Sequence, residues 1–130
     1  MRKTFNYSYD YYNPAPIATI VLQTLDKKRA TKPLEALIDS GADTTIVPLH
    51  YLSVLKLNSK RSGHIISQWG EPTIVKIYRV HVLIGDMKIQ AMEVAGDPIG
   101  NDVIVGRNVL NKLKVVLDGL GEVVEIDDYS

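Results

Sequence analysis

Asp39, followed by Ser40 and Gly41, forms the only Asp-Ser/Thr-Gly tripeptide in the 130 residues. Hydrolysing an amide without a metal or a covalent nucleophile takes one carboxylate to remove a proton from water and one carboxyl group to protonate the carbonyl oxygen. Two aspartates about 3 Å apart cannot both ionise, so they share a proton and titrate as a coupled unit. With one tripeptide per chain, the second aspartate has to come from a second chain. Gly41 suits a tight turn that approaches a ligand closely, and the Ser40 hydroxyl could tie two facing loops together. Asp-Ser-Gly is also ordinary turn chemistry, since Asp and Ser bond their own backbone and Gly accepts positive φ. Taken alone, the tripeptide leaves both readings open.

The context lies on either side. Ala36-Leu37-Ile38 reads as a buried strand delivering Asp39, and Thr45-Ile46-Val47-Pro48 follows the loop. Much later, Asn101-Asp102-Val103-Ile104-Val105-Gly106-Arg107-Asn108-Val109-Leu110 reads as a short β-branched strand feeding a short helix. Together the two segments resemble the retropepsin-like aspartic proteases, in which an Asp-Ser/Thr-Gly-Ala loop is followed by an apolar-apolar-Gly-Arg-Asp/Asn segment. The resemblance runs from about residue 17 to residue 126.

The resemblance implies an all-β, single-domain acid-protease fold: a closed β barrel or sandwich with a flap hairpin and one or two short helices, working as a homodimer. Asp39 would be the catalytic carboxylate. Ser40 would lock the two active-site loops together, with Gly41, Ala42, Thr44 and Arg107 supporting the site. Gly41 and Asp43 would offer main-chain groups to a polypeptide substrate bound in extended form. Arg107 would grip the Asp43 carboxylate, and Asn108 would satisfy backbone groups at the same helix start. No metal or organic cofactor is implied.

Between the motifs, residues 63–68, 69–72 and 73–78 read as strand, turn and strand, matching the family's flap. Gly70 would be its hinge or tip. Trp69, the one tryptophan, would either cover the bound peptide or pack against the body of the subunit. Pro72 stiffens one side. Other chemistries find no support: His50, His64 and His81 have no metal-ligand spacing, no serine elbow is visible, and no phosphate-binding glycine loop occurs.

The elements that must position these groups are short. Residues 16–22 and 33–38 read as strands around a charged turn containing Asp26-Lys27-Lys28-Arg29. Residues 48–57 read as a helix with Pro48 in its first turn and Leu49, Leu52, Val54 and Leu55 on its apolar side. Residues 79–84 and 87–94 form a hairpin around Gly85-Asp86, and residues 114–118 and 122–126 another around Gly119-Leu120-Gly121. Many short strands at close spacing argue for a closed or sandwiched β domain over 17–130.

Residues 1–16 form a separate unit of organisation. Phe5, Tyr7, Tyr9 and Tyr11 alternate with polar residues, the period of a strand with an aromatic face. Three fates are open to it: packing on the core or a dimer partner, a disordered arm, or an autoinhibitory occupant of the substrate cleft.

Composition sets the outer limits. A chain this long, 45% hydrophobic, supports one domain with a modest core that dimerisation would enlarge. Fifteen basic residues balance fifteen acidic ones, which gives no sign of nucleic-acid or membrane partners. The absence of cysteine excludes disulfides and suits the cytoplasm. Met1-Arg2-Lys3 is followed by no apolar stretch long enough for a secretory signal or a membrane span. The leading expectation is a homodimeric aspartic endopeptidase. Its competitors are a catalytically weak or inactive retropepsin-fold module that binds peptides or dimerises, and a plain structural β domain.

Overall fold

The computed structural model describes residues 1–66 and 70–129. Ten strands and two short helices follow in order: β1 (Arg2–Asn6), β2 (Ile17–Gln23), β3 (Leu34–Ile38), β4 (Thr45–Pro48), α1 (Leu49–Leu52) continued by a 3-10 turn (Ser53–Leu55), β5 (Arg61–Ile66), β6 (Pro72–Ile84), β7 (Met87–Asp97), β8 (Val103–Val105), α2 (Arg107–Leu110), β9 (Lys114–Asp118) and β10 (Val123–Asp127).

The larger sheet runs β2-β3-β8-β4-β7-β6-β5, and pairing of β2 with β6 closes six of these strands into a barrel. Alternation along β2 fills it: Ile20 and Leu22 point inward, fully buried, against Val47, Val80, Val82, Val94 and Val105. β5 hangs outside the closed barrel and, among the described residues, pairs with β6 alone, from Arg61 opposite Ile77 to Ile66 opposite Pro72. Pro72 lies at the end of this ladder, where its missing N–H costs least.

Two expected elements change form. The expected strands over 73–78 and 79–84 are one strand, β6, because no Gly or Pro interrupts the run; a register shift between Val80 and Val82 bends it instead. The flap arm and a barrel stave are therefore one piece of chain. The expected helix over 48–57 is a single α turn followed by a 3-10 turn, ended by Lys56 in the left-handed region at φ 51°. Only Leu52 and Leu55 of its expected apolar side are buried, since a three-residue repeat aligns those two and leaves Val54 exposed. The sequence pattern did not single out β4. Its parallel ladder with β7, Thr45 opposite Val94 through Pro48 opposite Asp97, is a purely non-local pairing.

A second sheet has the order β1-β10-β9. The aromatic N-terminal segment forms a shorter strand than expected and bonds to β10 of its own chain, with Phe5 opposite Val124. Phe5 and Tyr7 pack against the main core, the Tyr9 hydroxyl donates to Glu122, and Tyr12 is fully exposed. The segment is neither a loose arm nor an occupant of the cleft, because its ladder and its apolar face are both used within the chain. Among the described residues, no helix is long and apolar enough to cross a membrane.

Candidate active site

β3 and β8 run parallel, Ile38 beside Val105, and this pairing decides where Asp39 emerges. The ladder's last bond is from the Asp39 N–H to the Val105 carbonyl, at 3.1 Å. Beyond it the chain turns sharply: the Gly41 N–H donates to Asp39 Oδ1 at 2.8 Å, and the Ala42 N–H donates to the Asp39 carbonyl at 3.2 Å. The carboxylate is thus oriented by its own loop while Asp39, Ser40 and Gly41 remain exposed.

The second motif grips this loop from behind. The Arg107 N–H donates to the Ala42 carbonyl at 2.8 Å and the Asn108 N–H to the Asp43 carbonyl at 3.3 Å. Gly106 makes that approach possible, for a Cβ there would stand 2.4 Å from the Thr44 carbonyl oxygen and 3.0 Å from that of Ala42. The expected Arg107–Asp43 ion pair is not formed. Instead the Arg107 guanidinium donates through Nη1 to the Ser40 carbonyl at 2.8 Å, because the helix start places the side chain over the tip of the loop rather than its far limb. Asn108 does more than cap a helix: its Oδ1 accepts from the Thr45 N–H at 3.0 Å and from the Thr45 hydroxyl at 2.8 Å, and its Nδ2 donates to the Glu93 carbonyl at 2.8 Å.

Thr45 and Glu93 are the two supports that the sequence reading missed. Thr45 is wholly buried, and its hydroxyl also accepts from the Gly106 N–H at 3.1 Å, so one side chain stitches β4 to the second motif. Threonine in an apolar strand carries no signal of such a role until its partners are known.

A cleft of about 470 Å³ opens between this loop and the flap. Gly41, Ala42, Asp43, Thr44 and Arg107 line one side, and Gly63, His64, Ile65 and Ile66 of β5 line the other. Arg61 and Glu93 close part of the wall as an ion pair at 2.6 Å, with Arg79 3.8 Å from the other Glu93 oxygen. A larger groove of about 600 Å³ between β7 and α2 touches none of the residues from 39 to 44, so the smaller cleft is the one next to the chemistry. Gly70 has φ 81°, in the left-handed region, and among the described residues no atom lies within 4 Å of where a Cβ would stand, so its glycine serves backbone conformation. Gly70 does not line the cleft, and Trp69 lies outside the described residues.

The fold recurs in solved structures. A retropepsin-like aspartic protease from Rickettsia conorii superposes with a TM-score of 0.72 over 98% of this chain and 90% of that one, at 12% identity. The fold is that of the retropepsin-like aspartic proteases. EIAV protease, solved with an inhibitor, matches at a TM-score of 0.54 and 24% identity over 80% of this chain and 91% of its own. The simian foamy virus protease matches at 0.51 and 19% identity, over 73% and 91% respectively. Neither a family model nor a curated protein matches the sequence. The retropepsin fold is therefore legible in backbone path while most side chains differ.

Proposed function

We propose that the protein is an aspartic endopeptidase that works as a homodimer. The observation that carries the reading is the Asp39 loop itself: an exposed carboxylate held by the Gly41 N–H, in a chain with one such motif, followed directly by Gly41 to Thr44, which line one wall of the cleft although Asp39 and Ser40 do not. An exposed aspartate beside a copy of itself becomes half of an acid–base pair. One Asp39 carboxylate takes a proton from the lytic water as it attacks the scissile carbonyl; the other, protonated, donates to the carbonyl oxygen. The tetrahedral species then collapses as a proton passes to the leaving amine.

A peptide in this cleft lies extended, pairing with main-chain groups of Gly41 and Asp43 on one side and of the flap on the other, in the manner of an added strand. Flap closure excludes water other than the nucleophile. The Ser40 carbonyl, fixed by Arg107, and the Ala42 and Asp43 carbonyls, fixed by main-chain donors of the second motif, keep the loop from relaxing when the substrate leaves.

The test pairs the parent protein with Asp39→Asn on a mixed peptide library from acid to neutral pH, with sedimentation of both. Cleavage by the parent and its loss by at least a thousandfold in Asp39→Asn is the expected outcome. A dimeric parent that cleaves nothing, or an Asp39→Asn protein that cleaves equally well, leaves a peptide-binding module in place of an enzyme.

A further inference from the structure

β4 begins at Thr45, opposite Val94, so it covers only the second half of β7. One place further back along β7, the Glu93 carbonyl accepts from Asn108 Nδ2 at 2.8 Å, a side-chain amide standing where a strand would stand. From Lys88 to Met92, β7 pairs with β6 on one side, and among the described residues no strand lies along the other. The groove of about 600 Å³ follows this open edge, with Lys88 and Met92 on its β7 side and Lys112 and Leu113, just past α2, on the opposite side. Glu93 and Asn108 line both this groove and the cleft beside the Asp39 loop, so the two cavities meet at those residues. A chain leaving the cleft there passes onto the open edge of β7, which is a template for an added strand.

The middle of the groove is shaped by a bulge. Gln90 and Ala91 stand against the single residue His81 of β6, with Ala91 at φ 53° and its N–H donating to His81 Nδ1 at 3.2 Å. The bulge is thus anchored on the β6 side, and bulges of this kind re-aim a strand next to a working site.

Charge decides which chain fits. The Glu93 carboxylate is engaged by Arg61 at 2.6 Å, and that of Asp128, at the rim, by the Met1 ammonium at 3.0 Å. Lys88 and Lys112 have no carboxylate partner among the described residues. Desolvation and then the neighbouring Lys27 ammonium hold Lys88 below its ordinary pKa, which marks a third cation close by. The surplus in the groove is positive, and acidic side chains complement it.

We infer that this groove binds an acidic, extended flank of the polypeptide whose scissile bond lies in the cleft, adding it as a strand beside residues 88–92 of β7. The inference rests on the protease reading above and extends its substrate class from a short peptide to a polypeptide with acidic residues outside the cleaved stretch. Met92 and Leu113 give the strand apolar contact, and Lys88 and Lys112 meet its carboxylates.

The experiment starts from the octapeptide that the parent cleaves best in the mixed library. It is extended at either end by six residues: Glu-Val repeats, Lys-Val repeats or Gly-Ser repeats. For each protein the ratio of kcat/KM with and without the extension is read. At one end or both, the Glu-Val extension should raise the parent's ratio about tenfold through KM with kcat unchanged, while the other two extensions add little. In the double variant Lys88→Glu/Lys112→Glu the gain should pass from the Glu-Val to the Lys-Val extension. That exchange requires a folded, active protein, so misfolding cannot produce it. Strand pairing is read by methylating alternate backbone nitrogens of the Glu-Val extension, first the even and then the odd residues: only one set should remove the gain, since a strand turns alternate N–H groups to the same side.

A parent that cleaves the octapeptide but gains nothing from acidic residues, or a double variant that keeps the parent's preference, overturns the groove and leaves the protease reading intact. Equal effects of the two methylation sets overturn the strand arrangement. Anisotropy of a fluorescein-labelled Glu-Val hexapeptide separates the remaining case: binding that depends on Lys88 and Lys112 in a protein that cleaves no peptide overturns the substrate assignment together with the protease reading.

Discussion

Replacing Gly106 by alanine adds one methyl group at the point where the second motif lies against the Asp39 loop. The new Cβ would meet the Thr44 carbonyl oxygen at 2.4 Å and its carbon at 2.6 Å, with the Ala42 oxygen at 3.0 Å. All three are backbone atoms, so no side chain can swing aside. Ordinary contact begins at 3.4 Å, and the loop must retreat by about 1 Å. That movement strains three hydrogen bonds: Arg107 N–H to Ala42, Asn108 N–H to Asp43 and Gly106 N–H to the buried Thr45 hydroxyl. Overpacking of this kind costs roughly 1–3 kcal/mol, and each weakened bond adds up to about 1 kcal/mol, so a loss of about 2–4 kcal/mol is expected. A displacement of about 1 Å at a catalytic group is also enough to lower kcat about a hundredfold. Urea unfolding at fixed protein concentration measures the first quantity, and peptide cleavage the second. Gly119→Ala is the control, since among the described residues nothing lies within 4 Å of its added carbon and its φ is not in the left-handed region; it should fall within about 0.5 kcal/mol of the parent. If Gly106→Ala unfolds at the same urea concentration as Gly119→Ala, the close approach is not the constraint argued above.

Two further outcomes follow from the same contacts. Asn108→Ala strips the Thr45 N–H and hydroxyl and the Glu93 carbonyl of their partner, and with Thr45 fully buried the cost should be about 2–4 kcal/mol; Asn108→Asp, which keeps the acceptor, should recover part of it in the same unfolding assay. The Asp26 carboxyl is held below its ordinary value first by the Thr24 hydroxyl and then by the Lys28 N–H. A depressed folded value gives stability that is present above the unfolded pKa, about 3.9, and lost as pH falls through the folded one. Thermal melts should therefore show Asp26→Asn less stable than the parent at pH 7, with the gap narrowing as pH falls below the unfolded value of about 3.9; a gap that widens toward acid would contradict this sign.

Short-range features were readable because they depend on neighbours in sequence. The hairpin between β6 and β7 turns at Gly85, whose φ is 59°, and that between β9 and β10 closes on Asp118, whose Oδ1 accepts from the Gly121 N–H at 2.9 Å. The apolar run before Asp39 became β3, and Val103 to Val105 became β8. What failed was anything set by distant partners. β4 is four residues long and owes its form to ladders with β7 and β8, and the guanidinium of Arg107 chose the Ser40 carbonyl 67 positions away over the Asp43 carboxylate. Residue types alone made a carboxylate the obvious partner for arginine; the position of the helix start overruled them.

By itself the sequence determined the chemistry at stake: one Asp-Ser-Gly loop, a Gly-Arg-Asn segment to support it, alternating strands for a closed β domain, and no residue set for a different reaction. Those are properties of residue type and local period, which survive without a partner. Only the tertiary structure decided that Thr45 and Asn108, 63 positions apart, share a buried hydrogen-bond network, that the flap arm continues as a barrel stave, and that β1 completes its own chain's sheet while β9 is left open. Such outcomes arise from ladders and buried polar contacts that close over long loops. Their free energy depends on which edges meet, a quantity no stretch of neighbouring residues contains.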